Sequence, residues 1–241
     1  MKVSLFGNGK IGKLIASELY LLGHQVSFII DSKSMHLKNQ ISKDNTDVII
    51  DFTNPDAVTE NIFLSFDKCI PIVVGTTGWY NQFENISDIC LTSKKSLFYA
   101  SNFSVGVNNF FRILTYSTAL FKTYHDYNIS IEEVHHLQKI DAPSGTAISI
   151  AEIIIENQDK YTGWELVENE NYELKDGIIP IYALREENIV GTHKVYFKSI
   201  NDAIILKHDA YNRAAFVEGA IKAAEWIIGK QGVFTMKDML H

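Results

Sequence analysis

At 241 residues, 46% hydrophobic and 21% charged, the chain has an ordinary globular composition and enough length for one large domain or two modest ones. A formal net charge of −7 argues against a broadly basic surface, and so against nucleic acid or an anionic membrane as partner. Two cysteines without CxxC spacing, no apolar run of about 18 residues, and an apolar strand pattern directly after Met1-Lys2 argue against a disulfide scaffold, a membrane span and a secretory leader; the expectation is a cytoplasmic protein.

Residues 3–6 form a short apolar run closed by Gly7, and residues 10–22 place Ile11, Leu14, Ile15, Leu19 and Leu22 at helical spacing. Gly23 is suited to stop that helix, and a second apolar run over 26–30 ends at Asp31, completing a βαβ unit. The rhythm repeats with strands at 47–52, 70–74 and 96–100 and helices at 55–66 and 79–91. Such alternation predicts an α/β fold with a doubly wound, Rossmann-like parallel sheet.

Beyond Ser101 the rhythm changes. A helix is predicted over 107–121, a strand over 128–134, and a helix over 144–156 with Ile148, Ala151, Ile154 and Ile155 along one face. Strands at 192–199 and 203–208 flank Asn201-Asp202, a hairpin turn, so this second region is α+β with antiparallel pairing. The helix over 212–228 carries Phe216, Val217, Ala220, Ala223, Ala224 and Ile227 and is too apolar for a wide solvent face. The predicted division is therefore a first domain at 1–105, with 212–241 packing back on it, and a second at 106–211.

Gly7-Asn8-Gly9-Lys10-Ile11-Gly12 matches GxGxxG directly after a strand and at the opening of a helix. The first glycine permits the tight turn, the second lets backbone approach a pyrophosphate, and the third lets helix and strand pack closely. Asp31 follows Gly12 by 19 residues at the end of the next strand, where a carboxylate accepts hydrogen bonds from the adenine ribose. NADH or NADPH is thus the expected cofactor. Asp31 favours NADH, whereas Lys33 could offer a counter-charge to the NADPH phosphate. Other strand ends should face the same crevice, which adds Asp51-Phe52-Thr53, Gly75, Thr76 and Thr77, and Ala100, Ser101, Asn102 and Phe103. The plain alternative is a doubly wound domain whose glycines serve only a close turn.

The densest chemistry lies in residues 133–146. His135 and His136, with Lys139 close behind, concentrate proton donors, and reduction of an imine needs such a donor. Pro143 then precedes a helix start at which Ser144 can cap, leaving the Gly145 and Thr146 N–H groups without intrahelical acceptors. That is a cradle for a carboxylate, to which the Ser and Thr hydroxyls add donors, and with His136 and Lys139 nearby it suits a small substrate bearing more than one carboxylate. No further ligand stands at a spacing typical of zinc, so no metal is expected. Taken singly, the histidine pair could be a solvated turn and the Ser-Gly-Thr a bare helix cap.

The run His135-His136-Leu137-Gln138-Lys139-Ile140-Asp141-Ala142-Pro143-Ser144-Gly145-Thr146-Ala147 resembles the signature of the dihydrodipicolinate (4-hydroxy-tetrahydrodipicolinate) reductase family. Supporting likeness extends over the glycine turn, Asp51-Phe52-Thr53, residues 75–78 and 102–108, Gly191-Thr192-His193 and Arg213. The resemblance implies NAD(P)H-dependent reduction of dihydrodipicolinate to tetrahydrodipicolinate in lysine and diaminopimelate biosynthesis. It also implies His135 as proton donor or acceptor, Lys139 as proton donor, and His136, Ser144, Gly145 and Thr146 as substrate-binding groups. A homo-oligomer, commonly a tetramer assembled through the sheet of the second domain, is implied as well. One departure, Arg185-Glu186-Glu187 in place of a glycine-rich stretch, points to a remodelled loop. Two other readings fit the same features: another two-lobed reductase or amino-acid dehydrogenase, and a catalytically silent nucleotide-binding regulator.

Overall fold

A computed structural model describes residues 1–167, 172, 173 and 175–241, which divide into two compact units, Met1–Val105 with Ala214–His241, and Gly106–Arg213.

The first unit is built on β1 (Lys2–Phe6), β2 (Gln25–Ile30), β3 (Val48–Asp51), β4 (Ile72–Val74), β5 (Ser96–Tyr99) and, from far along the chain, β11 (Gly232–Phe234). Their order is β11-β5-β4-β3-β1-β2 and every neighbouring pair is parallel. The central strands are continuous apolar runs because both sheet faces are covered. On one face, α1 (Lys10–Leu21) and α6 (Ala214–Ile227) bury Ile15, Leu19, Ala220 and Ile227 against Val3 and Leu5. On the other, α2 (Pro55–Lys68) and α3 (Phe83–Thr92) bury Ile62, Phe66 and Ile86 against Phe6, Ile49 and Leu97. The doubly wound sheet is as expected, and its strand order reverses between β1 and β3, where such folds bind ligands.

Two details depart from the sequence reading. Helix α3 starts at Phe83 after a 3-10 turn at Tyr80–Gln82, not at residue 79. Trp79 is buried and its indole N–H donates to the Thr76 carbonyl at 2.8 Å, which pins the chain before the helix can open. Leu14 of α1 and its C-cap Leu22 are exposed, and Gly12 joins Ile15 and Leu19 on the buried side.

The second unit contains α4 (Val105–Leu120), which opens at its boundary, then β6 (Asn128–His135), α5 (Gly145–Asn157), β7 (Gly163–Val167), β8 (Ile178–Arg185), β9 (Gly191–Lys198) and β10 (Ala203–Ala210). The sheet order is β10-β9-β6-β8-β7; β9 pairs antiparallel with β6 and β10, while β8 runs parallel to β6 and β7. The hairpin at 199–202 is fixed by the Ser199 hydroxyl, which accepts from the Asn201 and Asp202 N–H groups at 3.1 and 3.2 Å. Helices α4 and α5 cover one face, with Phe110, Leu114, Ile150 and Ile154 packed on Ile129, Ile131, Ile181, Val195 and Phe197. On the opposite face Tyr182, Leu184 and Ile205 stay 37%, 45% and 52% exposed.

Candidate active site

In the first unit the glycine turn does what its spacing demands. Gly7 has φ +102, and a Cβ there would lie 2.1 Å from the Phe52 carbonyl oxygen; a Cβ at Gly12 would lie 2.0 Å from the Gly7 oxygen. Gly9, the N-cap of α1, has nothing within 4 Å of an added Cβ. It borders two cavities, about 510 and 600 Å³. Lys10, Ile11, Gly12, Gly75, Thr76 and Thr77 line the first, while Gly7 and Asp31 line the second; Phe52, Thr53 and Asn54 are common to both. This continuity suits an extended dinucleotide, with a pyrophosphate at the open helix start and a ribose toward Asp31.

Asp31 is kept anionic. The Lys33 N–H at 2.9 Å, the Asn8 amide at 3.3 Å and the Ser34 hydroxyl at 3.0 Å hold its carboxyl below the ordinary value. Asn8 therefore orients the carboxylate. Lys38, which the sequence reading passed over, lines the same cavity and is buried, its ammonium 2.9 Å from Glu60. Asp31, Asp56 and Glu60 leave that cavity with more carboxylates than cations.

Residues 100–103 follow β5, and neither of these cavities is lined by them. Ser101 is exposed, and Asn102 accepts from the Ser104 N–H at 2.9 Å. The Phe103 ring is buried between Phe52 and Phe98, at centroid distances of 5.8 and 5.9 Å. Its position reflects the close approach of α6, because a Cβ at Gly219 would lie 1.8 Å from the Phe103 oxygen.

Beneath the cavity shared by the glycine turn and residues 75–77 sits Asp51, fully buried at the end of β3. It accepts from the Thr53 N–H and hydroxyl at 3.1 and 2.8 Å, the Thr76 hydroxyl at 2.6 Å and the Asn61 amide at 2.7 Å. Thr76 in turn accepts from the Thr53 N–H at 2.7 Å. One carboxylate thus ties the loop after β3 to the loop after β4. Burial pushes its carboxyl up, against the pull of those hydrogen bonds.

In the second unit, β6 alternates so that Ile129, Ile131, Glu133 and His135 face the helices. Glu133 is directly opposite His193 on β9, and His135 is opposite Arg185 on β8. Glu133, His135 and His193 are only 0%, 8% and 5% exposed. The Glu133 Oε2 lies 3.5 Å from His135 Nδ1 and 3.6 Å from His193 Nε2. Both Glu133 oxygens face the Ser144 N–H, at 3.0 and 3.2 Å. The Ser144 hydroxyl accepts from the Ala147 N–H and is 3.1 Å from His193 Nε2. Ser144 is therefore committed to capping α5 and joining it to Glu133 and His193, while the Gly145 and Thr146 N–H groups start the helix without intrahelical acceptors. Burial opposes the Glu133 charge, but His193, Ser144 and His135 together draw its carboxyl below the ordinary value. Burial likewise drives the His135 imidazole down to about 4, although Glu133 pulls it up.

Lys139 follows on the loop and its ammonium pairs with Asp141 at 2.6 Å. The loop is fastened by Arg185, whose Nε donates to the Lys139 carbonyl at 3.2 Å and whose Nη2 donates to that of Asp141 at 2.8 Å. The departure at 185–187 thus begins with a residue that holds the lysine loop. His136 is half-buried next to His135, with its Nδ1 enclosed and unpartnered. Glu133, His193 and Arg185 lie in segments that stand out in the sequence, but the sequence assigns them no role in the site. Glu133 shares a face with His135 by the two-residue period, but His193 and Arg185 depend on strand register, which the sequence does not display.

A glycine-turn parallel sheet, together with a mixed sheet carrying an enclosed acid–imidazole cluster, defines the class of two-domain, nicotinamide-dependent oxidoreductases. The family model for the dihydrodipicolinate reductase N-terminus matches residues 1–103, and that for its C-terminus matches 106–240. A 4-hydroxy-tetrahydrodipicolinate reductase from Christiangramia forsetii is 42% identical over 241 residues, covering 100% of this chain and 98% of that protein. One from Archaeoglobus fulgidus is 34% identical over 214 residues, covering 85% and 80%. Among solved structures, a dipicolinate-bound dihydrodipicolinate reductase from Paenisporosarcina sp. TG-14 shares the fold with a TM-score of 0.80, at 23% identity and with 97% and 96% of the two chains covered. The chain belongs to the dihydrodipicolinate reductase family.

Proposed function

We propose that the chain reduces 4-hydroxy-tetrahydrodipicolinate (dihydrodipicolinate) to tetrahydrodipicolinate with NADH or NADPH, in lysine and diaminopimelate biosynthesis. The observation that carries this reading is the junction of β6 and α5, where an enclosed Glu133–His135–His193 cluster is hydrogen-bonded to Ser144 at the start of α5. The Gly145 and Thr146 amides seat a ring carboxylate, and the Thr146 hydroxyl and His136 add polar contacts. A small dicarboxylate is supported by the dipicolinate bound to the relative from Paenisporosarcina.

The bound nicotinamide supplies the hydride. Gly7 to Gly12 would hold the pyrophosphate, Asp31 the adenine ribose, and Gly75 to Thr77 would border the remainder; Ala100 to Phe103, which follow β5, would lie at the neighbouring strand end. Lys139, whose ammonium is paired with Asp141, delivers a proton to the reduced substrate. His135, neutral at pH 7, accepts or relays a proton with Glu133 behind it. Arg185 keeps the Lys139 loop in register with His135.

The domain division follows the same roles: a dinucleotide-binding domain at 1–105 with the C-terminal segment 212–241, and a substrate-binding and oligomerisation domain at 106–211. We infer a homotetramer formed through the outer sheet face and a cytoplasmic setting, which accords with Cys69 and Cys90 both being free thiols. Among the described residues no helix is long and apolar enough to cross a membrane. The decisive assay follows NADH and NADPH consumption by purified protein with freshly generated substrate. Consumption with either cofactor is expected, and none with both would remove the proposal.

A further inference from the structure

The Glu133, His135 and His193 side chains meet a geometric condition that acid–base work alone does not require. One ligand atom from each lies within 4.8 Å of the other two, with Glu133 Oε2 at 3.5 and 3.6 Å from the imidazole nitrogens. For a triangle of those dimensions, a point roughly 2.4 Å or less from all three corners exists, close to the ~2.0–2.2 Å of zinc bonds to nitrogen and carboxylate oxygen. The 3.5 and 3.6 Å separations also match the edge of a tetrahedral coordination shell, about 3.3 Å for such bonds.

A second observation is independent of the triangle. His135 is only 8% exposed, and its Nδ1, the atom turned toward Glu133, is buried without a hydrogen-bond partner. A buried ring nitrogen in that state leaves a ligating atom unused. The scaffold is rigid, because Glu133 and His135 lie on β6 and His193 is in register with Glu133 on β9. Two imidazoles and one carboxylate form the donor set of open zinc sites, which keep a fourth position for another ligand. A metal there would displace the Ser144 hydroxyl, now 3.1 Å from His193 Nε2.

We propose that Glu133, His135 and His193 form a binding site for one divalent transition ion of the zinc and cobalt class. An ion there would immobilise His135. Resting on the proposed catalytic role of that residue, the consequence is reversible inhibition of turnover by zinc.

Cobalt tests the site without any assay of turnover. Titrating the full chain with Co²⁺ should give the strong visible absorption of a tetrahedral centre, saturating at one ion per chain and displaced by Zn²⁺. His193→Ala and Glu133→Gln should each weaken binding at least tenfold, whereas His24→Ala, in the first unit, should leave it unchanged. Absence of the band, or a band that survives both cluster variants, overturns the site. If the variants fail to fold, wild-type protein decides: Zn²⁺ should raise its Tm and a chelator should reverse the shift, and no shift overturns the site. Loss of turnover on adding zinc, restored by chelator, supports the inhibitory consequence. A cobalt band in a protein that consumes no NAD(P)H would leave the metal site standing while removing the reductase reading.

Discussion

Gly9 and Gly12 belong to one turn, yet a methyl group at each meets different surroundings. At Gly12 it would strike the Gly7 carbonyl oxygen at 2.0 Å, so Gly12→Ala should cost about 1–3 kcal/mol and lower the Tm by roughly 2–10 °C. At Gly9 it meets nothing within 4 Å, and the backbone there is in the extended region, so Gly9→Ala should keep its Tm while weakening dinucleotide binding. Thermal melts with cofactor titrations separate these outcomes; equal Tm losses would remove the distinct role given to Gly9. On the other unit, Lys139→Ala and His135→Ala should each lower kcat on the order of 10²–10⁴-fold with little change in cofactor affinity. Steady-state kinetics checks this, and near-normal turnover in either variant removes that residue from the chemistry. At this scale the sequence displayed the groups that lie close together along the chain. His135, Lys139 and Ser144 share a single segment, and the glycines keep their spacing. His193 and Arg185 lie about 50 residues beyond, and only β-sheet register brings them to Glu133 and His135.

The loops after β3 and β4 are held by Asp51, so their geometry depends on an interior carboxylate that is not itself part of the cavity lining. Asp51→Asn keeps the shape but turns an amide donor toward the Asn61 donor, and should cost about 1–3 kcal/mol. Because the loops loosen while the proton-handling groups do not change, the KM for NADH should rise several-fold and kcat should hold; an unaltered KM would dispose of the tie. The pH dependence has a definite sign. Burial raises the native Asp51 above its ordinary 3.8, so the folded chain retains a proton that the unfolded chain has released. The contribution of Asp51 is then fullest below that value and declines as pH rises through the native one. Denaturant unfolding at a series of pH values should show wild type losing stability relative to Asp51→Asn as pH increases, and a constant difference would contradict the raised value. Among the elements themselves, long periodic segments were readable from the residues, as α5 and α6 show. Strand β8 was concealed by Pro180, whose missing N–H lowers strand propensity, and β11 by its three-residue length.

At the scale of the whole molecule, one face of the second sheet carries Tyr182, Leu184 and Ile205 in the open, with Lys194 and Tyr196 fastened to Glu132 between them. An apolar face bounded by charges is the form of a protein–protein contact. Sedimentation should find an assembly larger than the monomer, and Leu184→Glu with Ile205→Lys should shift it toward the monomer at unchanged secondary structure; a monomeric wild type would end the idea. Nothing in the composition disclosed this face, since exposed and buried strand sides differ only once the pairing is known. The return of the chain to its first sheet has another consequence. Helix α6, β11 and the residues after them complete a core and a sheet edge whose other members lie more than 100 positions earlier. On the ribosome, residues 1–105 emerge with Val3 and Leu5 lacking the part of their cover that α6 supplies, and must wait while the whole of the second unit is synthesised. The later unit has every partner it needs as soon as its own last strand appears, so the order of translation and the order of maturation run in opposite directions.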